Sequence, residues 1–486
     1  MFVTKIDAAS NSTFPIAYPL YVDLDGTLIK SDMLIESLLV LIKQQPLAIF
    51  LIPFWLLRGK AYLKQQIAQR VSVNCALLPY HGLFLEYLKA EAASGRRIIL
   101  ATASDRRLAQ SVASHLGFFA HVLASDGETN LKGHGKLDAI LSQCADNAFG
   151  YAGNAHVDVP ILSRAHHAIL VNPDKGVREK LSKSPATIRI FEERVAGLMP
   201  YLKALRVHQW LKNVLLFVPL ITAHQWGNPS AIANVLLAFV SFSLTASSMY
   251  VLNDLLDLSS DRAHPRKRKR PFAAGDIPLA RGGVLMLVAL TLGVLLAMTV
   301  SWAFTGILLF YLTVTLAYSW HLKTFVLIDV MVLAGLYTLR VIAGAIAISV
   351  TPSFWLLAFS IFVFLSLALV KRCTELITVQ ETNGTATRGR DYRVSDLDYL
   401  RSMGTASGYL SVLVLALFIN STDVATRYSH PQVLWLLCPA VLYWISRIWI
   451  KAGRNEVDDD PLVFSIRDRG SRYVLLFTVV VAMLAV

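Results

Sequence analysis

Charge, cysteine and flexible linker sequence are all scarce in this chain of 486 residues. Only 16% of positions are Asp, Glu, Lys or Arg while 55% are hydrophobic, which excludes an ordinary soluble protein. The four cysteines, Cys75, Cys144, Cys373 and Cys438, lie too far apart to form a metal-ligand spacing, so they read as reduced thiols. Residues 1–20 lack a basic region followed by an apolar core, so no cleavable signal peptide is expected. Residues 186–212 contain no Gly/Pro-rich linker, and the parts on either side are expected to be held close. Acids are the scarcer charge, 33 against 46 Lys and Arg, so a cluster of acids carries information.

The apolar excess begins near residue 210. Candidate spans fall at about 212–226, 231–252, 283–301, 303–320, 325–348, 354–370, 405–420, 432–450 and 473–486, nine in all. The net charge of +13 is not spread as a nucleic-acid-binding surface would be, and no nucleic-acid partner is implied. Lys and Arg instead fill alternate loops, at 262–281, 321–323, 371–393 and 447–472, while the loops near 224–230 and 349–353 have none and 421–431 has only Arg427. The positive-inside rule makes the basic loops cytoplasmic, and residues 1–205 with them. An integral, multi-pass protein of the inner (cytoplasmic) membrane is expected, its basic belt facing membrane lipid headgroups and phosphorylated substrates.

At the end of the second run stands Asn253-Asp254-Leu-Leu-Asp257-Leu-Ser-Ser-Asp261, followed by Arg266-Lys267-Arg268-Lys269-Arg270-Pro271. Carboxylates at the lip of a membrane helix are costly and mark a site. The i, i+4, i+8 spacing of Asn253, Asp257 and Asp261 predicts three oxygens along one helix side, with Asp254 beside them. Hard oxygens next to cations suit a diphosphate carried on Mg²⁺.

The first 190 residues read differently. Short apolar runs end in functional groups: Leu-Tyr-Val-Asp23-Leu-Asp25-Gly26-Thr27, then Arg97-Ile-Ile-Leu-Ala-Thr102, then Phe149-Gly-Tyr-Ala-Gly153-Asn154-Ala-His-Val-Asp158. Lys132-Gly-His-Gly-Lys136 lies between the last two. Strand ends alternating with helical segments predict an open parallel sheet with its site at the carboxyl edge. Residues 33–70, including the apolar but short stretch 48–57, read as a helical cap or as a segment in the membrane interface; a cap that also touches the membrane, where a lipid-borne substrate would be reached, is the favoured reading, with a simple buried core as the alternative. Residues 199–213 read as an interfacial helix running into the first span.

Over roughly residues 15–185 these pieces, in this order, resemble the haloacid dehalogenase (HAD) superfamily of phosphatases. The resemblance implies that Asp23 is the nucleophile and Asp25 the general acid and base. It further implies that Thr102 holds a phosphoryl oxygen, that Lys136, with Lys132 as a rival, neutralises the phosphoryl charge, and that Asp23, Asp25 and Asp158 help hold Mg²⁺. Asn154 stands where the family usually has an acid; its amide oxygen is a weaker metal ligand. The domain is then either a working phosphatase or a relic kept for structure or regulation.

From about residue 200 onward, the acidic motif, the nine spans and Tyr318-Ser-Trp-His-Leu-Lys323 resemble the UbiA superfamily of membrane transferases. The implied architecture is an α/β HAD-like domain (1–190, cap about 33–90), a connector (191–211) and an all-α membrane bundle (212–486). In that family Asn253, Asp257 and Asp261 would bind the metal-diphosphate, assisted by Asp254, with Lys267, Arg268, Tyr318 and Lys323 near phosphate. The second Asp-x-x-x-Asp clamp of the aromatic prenyltransferases has no counterpart in the loop after the sixth span, and Glu456 and Asp460, which do have that spacing, read as a solvated acidic run. Basic residues stand in the loop instead: Lys371, Arg372, Arg388, Arg390 and Arg393. That pattern, with Arg206-x-x-Gln209-Trp210-x-Lys212-Asn213 and Asp460-Pro461 to Asp468, is similar to the polyprenyl-phosphate phosphoribosyltransferase branch. The donor would be phosphoribosyl pyrophosphate and the acceptor a polyprenyl phosphate. The alternative is transfer from a polyprenyl diphosphate to an aromatic acceptor, which leaves the phosphatase without an evident task; a non-enzymatic scaffold is a third reading, and the arginines also fit simple topology charges.

Overall fold

The computed structural model describes residues 18–485, except 145–146, 183–186, 194–196, 383, 388, 422–423, 425–427 and 458–459. Arg388 and Arg427 therefore lie outside the described residues. The chain forms two units, Met1–Leu205 with Tyr250–Met286, and Arg206–Met249 with Leu287–Val486.

The first unit is built on a six-stranded parallel sheet: β1 (Leu20–Val22), β2 (Ile98–Asp105), β3 (His121–Ser125), β4 (Gly150–Gly153), β5 (His167–Val171) and β6 (Thr187–Phe191) in the order β3-β2-β1-β4-β5-β6. Both faces are covered, as the continuous apolar runs require. Leu20, Val22, Leu100 and Ile169 pack on one face and Tyr21, Ile99, Tyr151 and Leu170 on the other. Strand order turns back between β1 and β4, which opens a crevice at their carboxyl ends. The sheet runs to Phe191, so the folded domain takes in one residue beyond the expected boundary.

Helices α1 (Met33–Gln44), α2 (Ile52–Leu57) and α3 (Lys60–Ala68) form the cap. Asp32 starts α1 by accepting from the backbone N–H groups of Leu34 and Ile35 at 2.9 and 3.2 Å, an N-cap worth about 1 kcal/mol. The cap has a small core of its own, Leu41, Trp55, Leu63, Ile67 and Val71. It ends earlier than residue 90, because α4 (Gly82–Ala93) buries Phe84 and Leu88 against the sheet instead.

The rest of the unit carries the acidic motif. Helix α5 (Met199–Ala204) is short, and Arg206 in the left-handed region (φ 50°) stops it, so the single interfacial helix expected over 199–213 is not formed. The ends of α6 (Pro229–Leu256), α7 (Leu258–Ala263) and α8 (Leu279–Val300) supply Val251, Leu255, Leu258 and Leu279 to a cluster with Ala204 and Phe272, against which Ile35 and Leu39 of α1 pack.

The second unit is helical. Among the described residues, seven helices are long and apolar enough to cross a membrane: α6, α8, α9 (Trp302–Trp320), α10 (Ile328–Ala347), α11 (Phe354–Glu381), α12 (Leu397–Ile419, within the apolar stretch Val394–Ile419) and α13 (Leu437–Gly453, within Pro431–Gly453). The protein is thus an integral membrane protein; nine spans were expected, and seven such helices stand among the described residues. The run at 212–226 divides into a 3₁₀ segment, Val207–Phe217, and the short helix Val218–Thr222 with Pro219 in its first turn; proline cannot donate into a continuing helix. The last run forms α14 (Arg469–Ala485), 17 residues long.

Candidate active sites

Asp23 and Asp25 lie at the carboxyl end of β1, where Gly26 (φ 74°) turns the chain. A Cβ on Gly26 would stand 2.4 Å from the Asn154 amide nitrogen, so the positive φ calls for glycine and any side chain there would push the Asn154 amide aside. Asp23 is 7% exposed and Lys136 3%. Lys136 Nζ donates to Asp23 Oδ1 at 2.7 Å and to the Tyr151 hydroxyl at 3.0 Å, and lies 3.7 Å from Asp158 Oδ1. Lys132 is exposed, so Lys136 is the lysine at the site. Burial, together with the Asp158 and Asp25 carboxylates, outweighs the draw of Lys136 and pushes Asp23 up to about 7. Burial alone would lower Lys136, but Asp23 and Asp158 override it and raise it.

Asp25 Oδ1 accepts from the Met33 N–H at 2.7 Å, which ties it to the first turn of α1, and Oδ2 accepts from Ser104 Oγ at 2.7 Å. Burial first and Asp32 second push Asp25 up to about 6, against the pull of those two donors. Thr102 is fully buried and its Oγ1 accepts from the Ser104 N–H at 3.0 Å. Ser104 is the hydroxyl that touches the acid, a residue not singled out in the sequence although period-two alternation puts it on the face of Thr102. Lys64 of α3 was also missed; it donates to the Ala103 carbonyl at 2.6 Å, and no local pattern marks it. Asn154 Oδ1 accepts from Thr27 Oγ1 at 3.2 Å, and Asp158 Oδ2 accepts the Asn154 and Ala155 N–H groups at 3.3 and 3.1 Å.

The acidic motif is arranged differently from its spacing. Helix α6 stops at Leu256 and Asp257 caps α7 with φ −99°, ψ 13°. The acids that converge are Asp254 and Asp261, both 3% exposed, on Arg270, whose Nη1 donates to them at 3.0 and 2.7 Å. Asp257 pairs instead with Lys43 of α1 at 2.7 Å. Lys267 and Arg268, expected near phosphate, are exposed, and Arg270 is the basic residue that meets the acids. Arg262 of α7 makes a bidentate pair with Glu36 of α1 at 3.1 and 2.7 Å.

In the second unit, Lys212 pairs with Asp460. Asp460 caps the helix Pro461–Arg467, accepting from the Leu462 and Val463 N–H groups at 3.2 and 3.3 Å, and is not the merely solvated acid expected. Against the effect of burial, Lys212 and Lys371 hold its carboxyl below the usual range. One residue along α11, Arg372 pairs with Asp329 and Glu375. The Tyr318 hydroxyl donates to Asp329 Oδ1 at 2.7 Å and accepts from Arg372 Nη2 at 3.2 Å, while Arg390 lies 3.6 Å from Glu375. Lys323 is half-buried in the 3₁₀ turn after α9. Of the remaining loop acids, Asp396 accepts the Arg393 N–H and Asp398 is exposed beside Arg401. Arg340, which no motif flagged, is 5% exposed within α10 and donates to Asn213 Oδ1 at 2.9 Å and the Tyr311 hydroxyl at 3.2 Å. A cation buried in a spanning helix was itself the available signal.

Among the described residues no three Asp, Glu, His or Cys side chains converge as a ready metal cage. Both acidic sites offer hard oxygens, including the amides of Asn154 and Asn253, and buried carboxylates in excess of their cations; that donor set fits Mg²⁺, which keeps waters and substrate oxygens in its shell.

Residues 20–163 match the haloacid dehalogenase-like hydrolase family and residues 214–467 the UbiA prenyltransferase family. An uncharacterized protein of Sinorhizobium fredii, y4nM, is 36% identical over 94% of this chain and 89% of its own length. Nodulation protein NoeC of Azorhizobium caulinodans is 35% identical over 57% of this chain and 90% of its own. The decaprenyl-phosphate phosphoribosyltransferase of Mycobacterium tuberculosis is 34% identical over 47% of this chain and 76% of its own.

Proposed function

The chain belongs to the UbiA prenyltransferase family, with a haloacid dehalogenase-like domain ahead of the transferase region, and we propose that it moves 5-phosphoribose from phosphoribosyl pyrophosphate to a polyprenyl phosphate and then removes the 5-phosphate. The similarity to decaprenyl-phosphate phosphoribosyltransferases carries this reading. Two features favour it: one acidic motif at 253–261, and, in the second unit, the four cations Lys212, Lys371, Arg372 and Arg390, which the three acids Asp460, Asp329 and Glu375 beside them do not fully balance. The protein sits in the inner membrane with both sites on the cytoplasmic side, as its basic loops favour.

In the transfer, an ionised oxygen of the lipid phosphate attacks C1 of the ribose, the C1–O bond to pyrophosphate breaks, and pyrophosphate leaves. No general base is needed, so stabilising the departing charge is the main task. Asn253, Asp254, Asp257 and Asp261 would hold Mg²⁺, which would supply part of that charge. In the hydrolysis, Asp23 attacks the 5-phosphate and Asp25 protonates the departing ribose oxygen. Asp25 then takes a proton from the water that cleaves the aspartyl-phosphate. Lys136 offsets the phosphoryl charge, Asp158 and Tyr151 hold Lys136 in place, and Thr102 and Ser104 line the oxygen side. A second Mg²⁺ fits Asp23, Asp25, Asn154 and Asp158.

Purified protein given Mg²⁺, a polyprenyl phosphate and phosphoribosyl pyrophosphate labelled in the ribose should yield labelled lipid. Label-free lipid, together with prenyl transfer from a polyprenyl diphosphate to an aromatic acid, would overturn the proposal. Asp23→Asn should leave transfer intact and let the phosphorylated lipid accumulate.

A further inference from the structure

The cap carries an apolar surface that no described residue covers. Leu47, Phe50, Phe54 and Leu57 are 77, 69, 66 and 85% exposed. They lie on the 3₁₀ turn Pro46–Phe50 and on α2, whose inward residues Ala48 and Trp55 fill the small cap core. Isolated exposed leucines are ordinary, but four such side chains in eleven residues mark an interaction surface.

Its position indicates what covers it. Helix α1 packs Ile35 and Leu39 against Val251 and Leu255, in the last turns of the spanning helix α6. Further along α1, Lys43 meets Asp257, the first residue beyond that span. Pro46 follows three residues later, so the apolar face begins within about 10 Å of chain from the end of a membrane span. Arg58 and Lys60, both exposed, follow directly on Leu57. Apolar side chains rimmed by cations at this level are the pattern of a segment lying in the headgroup and acyl boundary.

We propose that the 46–57 face of the cap is seated in the bilayer interface and brings lipid-linked phosphomonoesters to Asp23. The seating rests on geometry alone; only the phosphomonoester rests on the function proposed above. Helix α1 links the two places, since its first turn donates to Asp25 and its last turn reaches Asp257. Twelve residues at 1.5 Å each make that link about 18 Å, which places the hydrolytic site one helix length from the span end.

The test uses the full chain with Cys144→Ser and Cys438→Ser, reconstituted into nanodiscs of phosphatidylglycerol and phosphatidylcholine. A nitroxide is attached at Phe54→Cys, Leu57→Cys or, as a control, the exposed Gln69→Cys. Collision with oxygen should exceed collision with a water-soluble nickel chelate at 54 and 57, and the order should reverse at 69. Nickel access at 54 and 57 equal to that at 69 means water covers the face and overturns the proposal, as does protection from both reagents, which means a second copy or another protein covers it. As a functional arm, Phe54→Glu with Leu57→Glu should leave hydrolysis of p-nitrophenyl phosphate in detergent unchanged and slow hydrolysis of a bilayer-borne phosphomonoester at least tenfold. Equal rates on both would overturn the proposal. If the unsubstituted chain hydrolyses no lipid-borne ester, the proposed function fails, while the collision data still decide the seating.

Discussion

Arg262 and Glu36 hold the acidic motif against α1, and removing one partner should reveal how strongly. Their side chains are 7% and 4% exposed and share two hydrogen bonds, and Arg262 Nε makes a third, to the Ala273 carbonyl at 3.1 Å. Arg262→Met leaves the Glu36 carboxylate buried without a cation, a change that costs about 3–5 kcal/mol. At about 2–4 °C per kcal/mol for a unit of this size, the thermal midpoint should fall by about 6–20 °C. Glu36→Met alone should cost a similar amount, because it strands the guanidinium. The double variant, Glu36→Met with Arg262→Met, replaces the pair by apolar groups of like size and should recover most of the loss. The assay is unfolding of the full-length protein in detergent followed by near-ultraviolet circular dichroism. The transferase KM for phosphoribosyl pyrophosphate should rise in each single variant and recover in the double. The reasoning is refuted if Arg262→Met costs under 1 kcal/mol, or if the double variant is less stable than both singles.

Asp257→Ala should abolish phosphoribosyl transfer while sparing hydrolysis of p-nitrophenyl phosphate; loss of both would mean that the motif supports the whole unit. Arg270→Ala removes the cation shared by Asp254 and Asp261 and should tighten Mg²⁺ binding, read by calorimetry, while slowing transfer; unchanged metal affinity would count against the acids as ligands. Gly26→Ala should destabilise the haloacid dehalogenase-like domain by at least about 1–2 kcal/mol, because the residue keeps a positive φ and its Cβ meets Asn154; an unchanged midpoint would rule out that strain. Asp23 has a folded pKa of about 7, above its unfolded value, so its contribution to stability is complete below about pH 4 and is lost as pH rises through 7. Burial pushes His167 down to about 4 and gives the opposite slope below about pH 6.5. In metal-free buffer the midpoint should therefore fall between about pH 6.5 and 8, and Asp23→Asn should flatten that fall.

The sheet was legible because each of its central strands is a short apolar run ending in a polar group, and a strand buried on both faces needs no alternation to be recognised. The extent of the membrane bundle was less so. Hydropathy counts apolar residues but not the backbone they build, and at 212–226 Pro219 and the 3₁₀ stretch before it divide a run that composition alone reads as a span. The cap was overextended to residue 90 because α4 is as apolar as α1, and only its contacts show that Phe84 and Leu88 belong to the sheet.

At the acidic motif, spacing identified the residues but not their partners. An uninterrupted helix would align Asn253, Asp257 and Asp261. The pair two turns apart, Asp254 and Asp261, shares a side even more closely, and it is this pair that turns inward on Arg270, while Asp257 is left to a lysine 214 positions away. Any of the five basic residues from Arg266 to Arg270 satisfied the sequence pattern equally. The turn that follows selects among them: the N–H of Ala274 donates to the Arg270 carbonyl and that of Asp276 to the Pro271 carbonyl, which folds the end of the basic run back over the acids and leaves Lys267 and Arg268 in solvent. Charge type and order along the chain are local and can be read directly. Which cation meets which acid is decided by the turns between them, and at this motif those turns join α7 to a domain more than two hundred residues earlier in the chain.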